Sequence, residues 1–227
     1  MPELHTLRWL RRAPRGLADR AGRLGVLSGT FNPPTLAHLA LAQRALDLAR
    51  LDEVLLVLPE APPHKRDLEA PLADRAAMLE RLAELDPRLS AAVTARGLFL
   101  EIHAAVAPNY PAGTRQHFLA GRDAAQRILL DWPYSDPRQA LEEMFARFDV
   151  IVAERGGAFT IPVDSLLDRF RARIHTLEMP AEWEGVSATE VRRRLAEGEP
   201  INALVPATIV EYIRQRHLYR AKSAGEG

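Results

Sequence analysis

The sequence predicts an α/β protein built on a doubly wound parallel sheet. Two observations carry that expectation. Short apolar runs, suited to strands buried on both faces, alternate along the chain with segments of helical periodicity. The first such run, Leu24-Gly25-Val26-Leu27-Ser28, breaks at Gly29 into a turn with two prolines that leads directly into a helix.

Taken in order, Leu36 to Arg50 sets Leu39, Ala42, Leu46 and Ala49 on one face, with Gln43, Arg44, Asp47 and Arg50 elsewhere, an amphipathic helix. Val54 to Leu58 is an unbroken apolar run and completes a right-handed βαβ unit. The pattern repeats: a helix over Pro71 to Leu85, a strand over Leu89 to Thr94, and a short strand over His117 to Ala120 that ends at Gly121. Ala124 to Leu130 and Pro137 to Phe148 read as helices, Val150 to Ala153 as a buried strand, Leu166 to Ala172 as helix and Ile174 to Leu177 as the last strand. Two helices, Thr189 to Glu197 and Ala207 to His217, finish the chain. This is a Rossmann-like order in a single domain, with the ligand crevice outside the carboxyl ends of the strands. The expected boundaries are an N-terminal extension over 1–23, the domain over 24–220 with its C-terminal helical part from about 186, and a disordered polar tail over 221–227. The arginine-rich extension lacks the apolar core of a secretory signal and is expected to be a surface helix or frayed.

Composition narrows the function. The 227 residues carry 30 Lys+Arg against 30 Asp+Glu, so no overall charge draws the chain to nucleic acid or a membrane. Cysteine is absent, which removes disulfides, thiolate nucleophiles and thiolate metal sites and is compatible with the cytoplasm. No apolar run approaches the roughly 20 residues of a membrane span. The only lysines are Lys65 and Lys222 in a chain whose other cations are arginine.

Four places concentrate chemistry. At Ser28-Gly29-Thr30-Phe31-Asn32-Pro33-Pro34, Gly29 has no Cβ to obstruct a ligand, and Pro34 suits a helix start. Thr35 and His38 fall three apart on the first turn, where free N–H groups and a partial positive charge suit a phosphate. Pro62-Pro63-His64-Lys65-Arg66 follows the second strand on the same rim, and Lys65 offers a compact point charge for a phosphate. In Gly121-Arg122-Asp123, Gly121 permits close backbone approach and Asp123 can cap the next helix or accept from ribose hydroxyls. Ser187 with Glu190 makes a capping box, which explains that pair structurally.

SGTFNPPTLAH, Ser28 to His38, resembles the G-G-T-F-[DN]-P-x-[HT]-x-G-H signature of the adenylyltransferase and cytidylyltransferase superfamily, with Thr35 at the first histidine position and Ala37 in place of glycine. Val186 to Arg192 resembles its [IV]-S-[SA]-T-x-x-R motif. Pro62 to Lys65 and the C-terminal Leu204-Val205-Pro206, Tyr212-Ile213 and Leu218-Tyr219 are similar to the nicotinate-nucleotide adenylyltransferase family. The resemblance implies adenylyl transfer from ATP to nicotinate mononucleotide, giving deamido-NAD and pyrophosphate. It implies that His38, Thr35 and Arg192 hold the triphosphate with Mg²⁺ bridging its oxygens, that Lys65 holds the acceptor phosphate, and that Ser28 to Asn32, Gly121, Asp123, Ser187 and Thr189 bind nucleotide. It places Trp132 against the pyridine ring, one residue later than the family spacing. No metal ligand is assigned to the chain itself.

One segment departs from the family. Where a Ser-Tyr-Thr stretch recognises the nicotinate carboxylate, this chain reads Arg96-Gly97-Leu98-Phe99-Leu100. Phe99 keeps an aromatic ring there and Arg96 could pair with a carboxylate. Two other readings follow from the departures: a different acceptor such as nicotinamide mononucleotide, or a nucleotide-binding module without turnover. A class I aminoacyl-tRNA synthetase is disfavoured by the short chain, neutral charge and lack of a K-M-S-K-S-like segment.

Overall fold

The strand Glu53–Ala61 (β3) shows why the sheet is buried on both sides. Val54, Leu56 and Leu58 point into one apolar cluster, and Leu55 and Val57 into another, all without solvent exposure. Side chains alternate across a strand, so an unbroken apolar run feeds two cores at once. A computed structural model describes residues 6–62, 68–131, 134–154 and 156–219.

Among the described residues seven strands form one sheet. They are Leu7–Arg11 (β1), Arg23–Ser28 (β2), β3, Leu89–Arg96 (β4), Arg115–Gly121 (β5), Phe148–Glu154 (β6) and Ile174–Glu178 (β7), in the spatial order β1-β4-β3-β2-β5-β6-β7. From β4 to β7 all neighbours are parallel. Helices Leu36–Leu48 (α1), Leu72–Ala83 (α2), Ala188–Glu197 (α6) and Ala207–Gln215 (α7) cover the face of Leu56. Phe99–Val106 (α3), Arg122–Leu129 (α4) and Pro137–Arg147 (α5) cover the face of Leu55. Strand order reverses between β2 and β5, where Leu27 pairs with Leu56 on one side and Leu119 on the other. A doubly wound sheet opens its ligand crevice at that reversal.

The N-terminal stretch corrects the expectation of a surface helix or frayed end. β1 pairs antiparallel with β4, and Leu17 beyond it is fully buried. Leu7 and Trp9 pack toward one core and Leu10 toward the other, while Arg12 lies over the Trp9 ring at 3.9 Å. The alternation Leu7-Arg8-Trp9 has the period of a strand, and the arginines discourage further pairing at this edge. Buried Glu53 fastens the segment: its carboxylate accepts from Leu17 N–H, Ser90 Oγ and Tyr110 Oη, each at 2.6 Å. Two smaller points concern Leu166–Arg173, whose helix is of the 3-10 kind, and α3, which occupies a stretch to which the sequence assigned no element.

Replacing Glu53 by Gln puts an amide N–H₂ among three donors, so one donor loses its acceptor. The expected cost is about 2 kcal/mol, a fall in Tm of about 4–8 °C for a domain of this size, measurable by calorimetry. His117 on β5 gives a pH dependence. Burial pushes its imidazole below the ordinary 6.5, the Arg23 guanidinium adds to this and Asp149 opposes it. A proton bound more readily by the unfolded chain means stability complete above the unfolded pKa and declining below it. Folding free energy should therefore decline on acidification below about pH 6.5, and His117→Gln should flatten that slope in thermal denaturation across pH.

Candidate active site

β2 ends at the sheet's reversal, and the chain there makes a tight passage before α1. Gly29 N–H still bonds Val57 C=O at 3.1 Å, so the turn is an extension of the sheet. The left-handed residue in the turn is Phe31, with φ 44°, not Gly29. A side chain at φ > 0 is strained, and Phe31 is held there by burial and by the His38 ring, 5.1 Å away between centroids. A Cβ on Gly29 would meet the Phe31 ring at 3.4 Å, ordinary contact. Packing alone does not demand glycine there. The bare backbone faces the cavity instead.

Thr35 is the N-cap of α1 and is wholly buried. Its backbone N–H donates to His38 Nδ1 at 3.0 Å, and its hydroxyl lies 2.8 Å from the same nitrogen. A backbone N–H can only donate, so Nδ1 is an acceptor and the ring proton sits on Nε2. The helix cap thus fixes the imidazole as an N–H donor. The free amide cluster expected at α1 is smaller than the sequence implied. Leu36 N–H is taken by Leu204 C=O at 2.9 Å and His38 N–H by Thr35 C=O at 3.1 Å.

A cavity of about 240 Å³ opens beside this turn. Ser28, Gly29, Thr30 and His38 line one end. Pro59 of β3, Pro62 just after it, Gly97 and Phe99 at the start of α3, Leu119 and Ala120 of β5, and Ala124, Arg127 and Ile128 of α4 complete the wall. Phe99 is only 2 % exposed, its ring packed on Phe118 at 4.6 Å. It therefore forms floor rather than a free stacking plate. Arg127 was not anticipated by the sequence reading.

Arg192 stands outside this wall but touches the same loop. Its Nη1 donates to Asn32 C=O at 2.7 Å, its Nε lies 2.9 Å from the Glu69 carboxylate, and Nη2 is 3.5 Å from Thr189 Oγ1. The two motifs, 160 residues apart, are thus joined by one guanidinium. Asn32, 2 % exposed, is the hub: its Nδ2 donates to Glu69 at 2.6 Å, and its Oδ1 accepts from Tyr219 Oη at 2.8 Å and Ala70 N–H at 3.3 Å. Burial lifts the Tyr219 phenol well above its usual range, which keeps it a donor. Burial alone would raise the Glu69 carboxyl as well; hydrogen bonds from its own backbone, Asn32 and Arg192 outweigh that and hold it low. Buried Arg75 donates to Thr30 C=O at 3.0 Å and Ala70 C=O at 3.2 Å, fixing the turn from below.

The remaining expected residues are placed as follows. Ser187 is the N-cap of α6, its Oγ accepting from Glu190 N–H at 3.1 Å. Gly121 is the N-cap of α4, and a Cβ there would meet nothing within 4 Å. Asp123 lies in the first turn of α4 with its carboxylate 82 % exposed, 3.7 Å from Arg122. Neither Gly121 nor Asp123 lines the cavity among the described residues. Arg96 ends β4 and does not line it either. Lys65 and Trp132 lie outside the described residues. Glu69 and Arg75 carry no local signal in the sequence, since their partners lie elsewhere in the chain. Tyr219 and Leu204 were visible as motif members but without a task.

A phosphate-sized turn with an imidazole donor, at the reversal of a doubly wound sheet, defines a nucleotide-binding α/β protein. The model of the cytidylyltransferase-like family matches residues 26–194. The probable nicotinate-nucleotide adenylyltransferase of Bordetella pertussis is 32% identical over 216 residues, covering 87% of this chain and 98% of its own length. That of Solibacter usitatus is 33% identical over 202 residues, covering 87% and 99%. The solved Plasmodium falciparum nicotinic acid mononucleotide adenylyltransferase complexed with NaAD is 18% identical with a TM-score of 0.65, covering 87% of this chain and 97% of that one. It shows the shared fold. The chain belongs to the nicotinate-nucleotide adenylyltransferase family of cytidylyltransferase-like proteins.

The hub makes a charge test available. Asn32→Asp would set a carboxylate oxygen against Glu69 at the distance now spanned by a hydrogen bond. Stability at pH 7 is expected to fall by about 1–3 kcal/mol, and Glu69→Gln in the same chain to restore most of it. A double-mutant cycle by chemical denaturation reads the coupling directly; additive losses would place the two side chains apart.

Proposed function

We propose that this chain transfers the adenylyl group of ATP to nicotinate mononucleotide, forming deamido-NAD and pyrophosphate. The observation that carries the reading is the His38 imidazole, locked as an Nε2 donor by the α1 cap and opening on the cavity beside Ser28-Gly29-Thr30. The names of the bacterial relatives support the choice of acceptor and donor.

The acceptor's phosphate oxygen attacks the α-phosphorus of ATP, the bond to the β-phosphate oxygen breaks, and pyrophosphate leaves. A phosphate dianion is already nucleophilic, so the chain need supply only positioning and charge stabilisation. His38 Nε2–H donates to a phosphate oxygen whose charge grows in the transition state. Thr35 keeps that ring in place through both its contacts. Arg192 sits at the mouth of the same loop and stabilises the departing pyrophosphate, with Thr189 and Ser187 on its helix. A triphosphate arriving there competes with the Glu69 carboxylate for the guanidinium. Lys65 is assigned to the acceptor phosphate. Gly121 and Asp123 are assigned to the ribose side, which requires the ligand to extend past the cavity wall along α4. Phe99 supports the pyridine end from beneath, and Trp132 is assigned to its open face.

Magnesium belongs to the substrate in this scheme. It enters as MgATP on triphosphate oxygens and supplies charge neutralisation there. Among the described residues no set of three carboxylate or imidazole groups is arranged to hold a resident ion. The reaction is placed in the cytoplasm, where ATP and mononucleotides meet. No helix among the described residues is long and apolar enough to cross a membrane.

Pyrophosphate release from ATP, Mg²⁺ and a panel of phosphorylated acceptors tests the reading. His38→Ala should lower kcat/KM by at least about 10²–10³-fold, the scale for one preorganised donor, with Tm retained. ATP binding without pyrophosphate release across the panel would make the chain a binding module instead.

A further inference from the structure

We infer that Arg127 of α4 is a specificity-determining residue that recognises the carboxylate of the acceptor's ring. The inference rests on the adenylyl-transfer reading above and deepens it. Two observations carry it. First, Arg127 is the one described residue lining the cavity with a formal charge, apart from the imidazole of His38. Ala124, Arg127 and Ile128 are spaced to share a helix face, and all three line the cavity, so the geometry of α4 puts exposed Arg127 in the wall with its guanidinium in reach of a ligand there. Its neighbour Arg122 donates to Gly156 C=O at 2.8 Å and lies 3.7 Å from Asp123, whereas Arg127 makes no such contact among the described residues.

Second, no other side chain in the described wall can read a negative group at the ring end. Pro59, Pro62, Phe99, Leu119 and Ile128 are apolar and suit a flat ring. The hydroxyls of Ser28 and Thr30 sit at the phosphate end, on the turn that also carries His38. Gly97 and Phe99 line the wall without a side-chain donor, and Arg96 stays outside it. An apolar slot with phosphate donors at one end and a guanidinium at its margin matches a phosphorylated aromatic acid. A carboxylate takes two parallel N–H bonds from a guanidinium. A carboxamide offers one oxygen and turns an N–H₂ toward another donor. Arg127 therefore favours the acid over the amide by both attraction and mismatch.

The test compares nicotinate mononucleotide with nicotinamide mononucleotide as acceptors, at saturating MgATP, for the wild type, Arg127→Ala and Arg127→Lys. In the wild type kcat/KM should favour the acid. Arg127→Ala should lower kcat/KM for the acid about 10–100-fold more than for the amide, through KM, with the KM for ATP little moved. Arg127→Lys should fall between, since it keeps charge and loses the fork. An equal loss on both acceptors would assign Arg127 to their common phosphate and overturn the inference, as would an unchanged ratio. A wild type that adenylates neither acceptor overturns the activity itself, which distinguishes that failure from a wrong role for Arg127.

Discussion

The site depends on a single hydrogen-bonded join: the Arg192 guanidinium on Asn32 C=O, inside the hub that Asn32 makes with Glu69 and Tyr219. It adds direction to apolar packing, which is non-directional, alongside the bonds that Tyr212 Oη and Arg216 Nε donate to Asp74 of α2. The join sets the register of α6 and the C-terminal turn against the loop after β2. The Leu36 N–H to Leu204 C=O bond does the same at the start of α1. Polar bonds between buried partners are costly to leave unmade, so these few contacts specify one arrangement where many apolar packings would be near in energy.

The sheet supplies the other half of the constraint. Strand order reverses between β2 and β5, so α1 leaves one face and α4 the other, and a gap opens between their starts. The cavity lies in that gap, and its two ends inherit different chemistry. The end made by the β2 turn presents backbone, hydroxyls and His38; the side made by α3 and α4 presents apolar surface with Arg127 beside it. That division of chemistry suits the proposed acceptor, with a phosphate at one end and a flat ring at the other.

How much of this was legible in the sequence differs by element. Val54 to Leu58 was legible because both its faces are buried, and the motif at Ser28 to His38 because its turn chemistry is local. The strand at Leu7–Arg11 was not. Its outer positions carry arginine, which reads as solvated surface, and its inward residues are few. Helix α3 went unassigned, because its eight residues Phe99–Val106 are mostly apolar and show little amphipathic alternation. Asn32 was legible as a motif position, but its partner Tyr219 lies 187 residues away, and no local pattern announces such a pair. Arg127 gave no signal, because an arginine on an amphipathic helix is ordinary until the cavity beside it is known.

Arg75 shows what the sequence could not weigh. It is 4 % exposed, and among the described residues it donates to two backbone carbonyls rather than to a carboxylate. Burial depresses its pKa from the ordinary value, yet from so high a start that the guanidinium stays charged. A buried cation that no carboxylate pairs among the described residues is costly to a fold. Its place explains the cost: the charge sits under Thr30, at the turn that faces the cavity. The two carbonyl dipoles accept from it without cancelling its charge, so its field extends into the low-dielectric wall. A phosphate approaching Ser28-Gly29-Thr30 meets that field as well as the donors. The residue that holds the turn in shape is therefore also part of what makes the turn attractive to an anion.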